Sequence, residues 1–299
     1  MKTIAIRTKR IQPILETGKS AARAKSLFAH DGRDAVLVLL AILDLFLKAA
    51  VVLRWQELSL AMLLLLGATS VFLICTNFQC IAHNFLHNPF FVSRGLNRAF
   101  GILNSLCIGI PQSLYRLHHL NHHQFGSDQR DPVTHQTRDY SSIYRFGKDG
   151  KPEPIWRYAF IGPLRPGLGE LISRMAQSRA RSQFLLECVA IAAVAAMVLL
   201  WQPAFLLWYL PVTYFGQVTA HAENYLEHFR AVPGSRLTDS VSCYGRFYNW
   251  IWFNNGYHQE HHFRPQMHWT KLPGQREHML AESGRRVVRG AHWFNWGRG

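Results

Sequence analysis

Membrane-length apolar stretches recur along the chain in pairs. Positions 35–53 and 58–82 are nearly unbroken runs of Leu, Val, Ala and Ile, parted by the polar Arg54-Trp55-Gln56-Glu57. Each approaches the roughly 20 residues that a spanning helix needs, and together they predict a transmembrane hairpin. Positions 184–201 and 205–220 predict a second hairpin, broken at Gln202-Pro203, where a proline ring ends a helix. Between the pairs, 96–111 is apolar but short and interrupted by Gly101, Gly109 and Pro111. That pattern suits a re-entrant or interface-lying segment, with a fifth span as the alternative. The predicted fold is all-α: four transmembrane helices in two hairpins under a helical cap.

The organisation that follows is a basic arm over 1–34, one membrane domain over 35–273 and a tail over 274–299. An even number of spans puts the arm, the middle region 83–183 and the tail from His221 on one side. Nearly all Lys and Arg lie there, so the positive-inside bias makes that side cytosolic, in a cell inner membrane or the endoplasmic reticulum. Asp44 and Lys48 fall inside the first span at i, i+4 spacing, where a helix brings them together as a structural pair. Residues 173–182, with Arg174, Arg179 and Arg181, predict a basic interface helix leading into the third span.

Composition supports a membrane protein. Only 17% of the 299 residues are charged, against about 25% in a soluble domain. The 33 Lys and Arg outnumber the 18 Asp and Glu, but they flank the apolar runs, which argues against a nucleic-acid partner. Cys75, Cys80, Cys107, Cys188 and Cys243 form no CxxC pair and read as small apolar residues. The basic start reads as a cytosolic arm rather than a cleaved signal.

Histidine supplies the candidate chemistry. His83-x-x-x-His87 puts two rings one helical turn apart at the end of the second span. His119-x-x-His122-His123 and His258-x-x-His261-His262 each hold two rings on one helix face, while the remaining ring points around the helix toward a different metal. Eight imidazoles exceed what one tetrahedral zinc uses. Ligand type alone leaves zinc, copper, iron and nickel open, and the count suits two five- or six-coordinate irons with open positions. His228, four residues after Asn224, is a ninth candidate ligand, with Asn224 acting through water or as a ring partner. Glu223, Glu227, Glu260, Asp128 and Asp131 are candidates to hold the free ring N–H groups. His118 and His221 adjoin the clusters outside the pattern. His30, His135, His268, His278 and His292 have no repeated spacing and read as non-ligands. No HExxH, GxGxxG or P-loop is present.

These three boxes, HxxxH, HxxHH and HxxHH, resemble those of the membrane fatty acid desaturase superfamily in order and spacing. The segments around Asp128-Gln-Arg-Asp131-Pro132 and Asn255-Gly-Tyr-His258 are similar to family sequence as well. The resemblance covers about 35–273. It implies a non-haem di-iron enzyme that uses dioxygen and externally supplied electrons to oxidise a lipid chain. Desaturation of a fatty acyl substrate is the leading expectation; hydroxylation or ketolation of a lipid, alkyl or isoprenoid chain is the alternative. Asn224-Tyr-Leu-Glu-His228 looks like the Asn-Tyr-x-Glu-His stretch of the related alkane hydroxylases. A non-catalytic metal transporter or haem-anchoring protein is a distant third, since it would want ligands at the bilayer midplane. With no fused cytochrome-b5 or ferredoxin motif, a separate ferredoxin or cytochrome-b5-type carrier is expected. Arg138, Arg145, Lys148, Lys151, Arg157, Arg174, Arg179 and Arg181 could steer it.

Overall fold

The structure, a computed structural model, describes residues 26–165 and 167–295. The basic arm therefore lies outside the described residues as far as position 25. The chain is mainly helical. Helix α1 (Asp34–Leu53) and helix α2 (Leu60–Thr76) form the first hairpin, and Ser59 caps α2 by accepting from the Met62 N–H at 3.3 Å. The second helix does not stop at the predicted boundary. A π-helical turn over Asn77–Ala82 carries it into α3 (His83–His87), giving a continuous 28-residue helix from Leu60 to His87.

Helix α4 (Arg94–Ile108) and helix α5 (Gln112–Phe125) follow, parted at Gly109, whose φ of 75° is the left-handed conformation that glycine tolerates. A Cβ there would also meet Thr213 Cγ2 at 2.8 Å. The short helices α6 (Ile155–Ile161) and α7 (Leu168–Ala176) precede α8 (Arg181–Trp201) and α9 (Leu206–His228). The basic helix predicted over 173–182 is thus split between α7 and α8. Helices α10 (Arg246–Ile251) and α11 (His258–Phe263) lie after α9. A two-residue parallel pairing joins β1 (Ser242–Cys243) to β2 (Val287–Val288).

Three helices among the described residues are long and apolar enough to cross a membrane: Asp34–Leu53, Leu60–His87 and Arg181–Trp201. The fourth predicted span falls in the 23-residue α9, which holds Pro211 and ends in His221, Glu223, Glu227 and His228, and so is less apolar. Outward side chains of these helices are hydrocarbon: Leu65 is 68% and Leu200 88% exposed. Such a surface suits lipid rather than water. Inside α1, Lys48 Nζ donates to Asp44 Oδ2 at 2.7 Å and also to the Cys107 carbonyl, so the intramembrane pair ties α1 to α4. All five cysteines are free thiols.

Helices α2 and α9 pack closely. Gly216 makes this possible, because a Cβ there would stand 2.5 Å from Ile74 Cγ2. Trp208 Nε1 donates to the Leu63 carbonyl across the same seam at 2.8 Å. The segment after α11 returns to the first span: buried Asp34 accepts from Trp269 Nε1 at 2.9 Å and His268 Nε2 at 3.0 Å. That contact closes the fold around the histidines.

Candidate metal centre

Nine histidines converge in two groups. His83, His87, His119, His123 and His261 each bring one ring nitrogen within 4.8 Å of the others. His122, His228, His258 and His262 form the second group, to the same limit. Helical geometry sorts them. His119 and His123, at i, i+4, enter the first group while His122 between them turns to the second. In α11 the split is reversed, with His258 and His262 in the second group and His261 in the first. The π turn before His83 carries a local partner too: His83 Nδ1 donates to the Gln79 carbonyl at 3.0 Å.

The ring partners fix which nitrogen faces inward. His122 Nδ1 lies 3.1 Å from Asp139 Oδ2, and His228 Nδ1 is 2.9 Å from the Asp239 carbonyl. His262 Nδ1 is 3.4 Å from Asp239 Oδ1. Each acceptor assigns the proton to Nδ1 and leaves a lone pair on Nε2. Two of those lone pairs face each other, His122 Nε2 lying 3.2 Å from His262 Nε2, and His228 Nε2 is 3.2 Å from His258 Nε2. In the first group His83 Nε2 is 2.7 Å and His123 Nε2 2.9 Å from His261 Nε2. The facing lone pairs of His122 and His262 repel at this distance unless a proton or a metal cation stands between them. Two nitrogens at right angles around a metal, each about 2.1 Å from it, are about 3 Å apart. The buried Nε2 of His87 and Nδ1 of His258 have no hydrogen-bond partner. The donor set therefore fits two metal ions.

Burial favours the neutral, metal-binding form of His119, His123 and the three rings of α11. His119, His123, His258 and His261 have pKa values well below the ordinary 6.5, first because of burial and then because neighbouring imidazoles would repel a second charge. His262 is also lowered by burial, with the Asp239 carboxylate pulling against the shift. The two aspartates are held below the usual carboxylate range: burial opposes this, but nearby His122 and His262 prevail.

The carboxylates expected beside the rings are distributed differently. Glu227 Oε2 lies 3.7 Å from His258 Nε2, and Glu223 and Glu227 face His292 at 3.8 and 3.9 Å. Glu260 instead accepts from Ser242 Oγ at 2.6 Å and from the Tyr244 hydroxyl. Asp128 pairs with Arg138 at 2.9 Å, and Asp131 accepts from the Val133 and Thr134 N–H groups in an exposed turn. Asp139 and Asp239, which hold rings in the structure, carry no spacing signal; both sit in loops that fold back on the site. Asn224 Nδ2 donates to the Tyr158 hydroxyl at 2.7 Å, which donates to the Ser141 carbonyl at 2.6 Å. His118 and His221 belong to neither group; His118 is lowered to about 4 by burial.

A cavity of about 390 Å³ opens onto the centre. His83, His119, His122 and His258 form one part of its wall, and Phe78, Ile110, Leu114 and Leu171 give it an apolar side. Asn224, His118 and His221 line it too. Nitrogen donors and a hydrocarbon wall thus share one space, as an enzyme acting on an apolar chain requires.

The family model for fatty acid desaturase matches residues 57–292. The chain belongs to that family. It is an oxidoreductase of lipid metabolism. Among its relatives, sphingolipid delta(4)-desaturase DES1 of Drosophila melanogaster is 28% identical over 263 residues, 83% of this chain and 75% of the relative. Sphingolipid delta(4)-desaturase of Komagataella phaffii is 30% identical, covering 80% of this chain and 66% of its own length. Sphingolipid delta(4)-desaturase/C4-monooxygenase DES2 of Bos taurus is 27% identical over 64% of this chain and 58% of the relative.

Proposed function

We propose that the chain desaturates a lipid acyl chain in the membrane, with dioxygen and two electrons from a separate ferredoxin or cytochrome-b5-type carrier. The observation that carries this reading is the shared cavity, where ligand histidines and hydrocarbon side chains face the same volume. His83, His87, His119, His123 and His261 would hold one iron, and His122, His228, His258 and His262 the other. When bound, the pair of irons supplies the oxidising power that an unactivated C–H bond demands.

The remaining work belongs to the protein. Phe78, Ile110, Leu114 and Leu171 exclude water and lay the chain beside the histidines. Gln79, Asp139 and Asp239 keep His83, His122, His228 and His262 in the tautomer that aims Nε2 inward. Asn224 stands on the cavity wall beside Tyr158 and is placed to hold a water next to the second group. Helix α9 is read as the fourth span, and 96–111 as a segment wedged at the membrane face. The basic flanks support a cytosolic position for the centre.

Hydroxylation is the second reading, favoured by the DES2 relatives, whose names join desaturase and C4-monooxygenase. Expression with a ferredoxin system, followed by mass spectrometry of host lipids, separates the two. Loss of two hydrogens supports desaturation, and gain of one oxygen supports hydroxylation. A lipid profile identical to that of a His261→Ala control rejects both.

A further inference from the structure

Oxidation chemistry leaves one part of the cavity wall unused. Arg145, half-buried, lines the same cavity as the histidines. Its guanidinium lies 5.4 Å from the Tyr140 ring and 5.6 Å from the Phe146 ring, and Nη1 donates to the Tyr140 carbonyl at 3.3 Å. These contacts orient the group while leaving most of its five N–H donors free. Arg145 makes no ion pair among the described residues. Its neighbour Arg165, on the same wall, is paired with the fully buried Glu153, which Arg157 approaches at 3.3 Å. Glu170 is taken by Arg174 at 2.7 Å and by the Tyr140 hydroxyl. Arg157 and Arg165 thus share the carboxylate of Glu153, while Glu170, engaged by Arg174 and Tyr140, acts on Arg145 only from beyond ion-pair distance.

A cation held against aromatic rings on a largely apolar wall is costly without an anion beside it. Its planar fork suits a carboxylate or a phosphate equally. We infer that Arg145 selects the lipid's head group, receiving the carboxylate or phosphate end of an anionic acyl lipid while the chain runs along the apolar wall toward the histidines. The inference rests on the lipid-oxidation reading above. It also gives Arg145 a role inside the cavity, distinct from steering an electron carrier.

The test uses the full chain, loaded with iron in neutral detergent, and equilibrium dialysis with three ligands of one chain length: oleic acid, oleoyl lysophosphatidate and oleyl alcohol. The anionic ligands bind about tenfold more tightly than the alcohol, the size of a charge-assisted hydrogen bond. A gain for the acid alone identifies a free carboxylate as the source; a gain for the lysophosphatidate alone identifies a phosphate head. Arg145→Gln brings the anionic ligand to the level of the alcohol without changing alcohol binding, which also reports an intact cavity. Arg145→Lys keeps part of the preference, and the exposed Arg179→Gln keeps all of it. Equal binding of all three ligands, or a preference that survives Arg145→Gln, overturns the head-group inference alone. Failure of all three to bind overturns the lipid-oxidation reading and the inference with it.

Discussion

Asp139 stands between His122 and the turn at Ser127, accepting from His122 Nδ1 at 3.1 Å and from the Ser127 N–H at 2.8 Å. Its charge fixes the inward lone pair of His122, so Asp139→Asn is expected to weaken iron binding about 10–100-fold. Competition with a graded chelator measures this, and an unchanged affinity would refute the tautomer argument. The histidines also set a pH dependence. Because burial lowers the pKa of His119, His123, His258, His261 and His262, the unfolded chain takes up more protons than the folded one below about 6.5. Stability of the metal-free chain is therefore full above that value and lost as pH falls toward the lowered folded values. Thermal unfolding of the metal-free protein across pH 5–8 checks the sign; a melting temperature that rises on acidification would contradict it.

Among the helices, the α2–α9 seam and the start of α5 set the positions of the rings. Gly216 lets α2 approach α9, and these two helices lead to His83, His87 and His228. A branched side chain there would force the seam apart, so Gly216→Val is expected to release iron without touching a ligand. Metal analysis after size-exclusion chromatography decides it, full iron content being the opposing result. Glu187, buried in α8, accepts from the Ser113 N–H at 2.9 Å and Ser113 Oγ at 2.6 Å, pinning the first turn of α5. Glu187→Ala strands those donors and is expected to cost about 1–3 kcal/mol. A melting temperature equal to that of the unaltered protein would show that the pin is dispensable.

The whole molecule shows which features a sequence can display. The box histidines were legible because i, i+3 and i, i+4 spacing is a property of one helix, and the apolar runs were legible because length and composition suffice. Asp139 and Asp239 were not, since a loop residue meets its ring only after the chain folds back. Gly216 likewise has no signal until α2 lies against it. The predicted fourth span falls in α9, which is less apolar than the three membrane-length helices because it ends in the polar His221, Glu223, Glu227 and His228. Four separate helices, α3, α5, α9 and α11, bring their rings to the centre, so removing metal should loosen their packing; chelation is expected to lower the melting temperature and expose the loops to protease.

Helices α5 and α11 each give two rings to one group and one ring to the other. That crossed sharing makes the two groups a single latch. Seating an ion in either one orients both helices and so prepares the other, which lowers the ordering entropy left for the second ion. Filling of the two groups with metal is therefore expected to be cooperative, with fewer half-loaded molecules than two independent sites would leave.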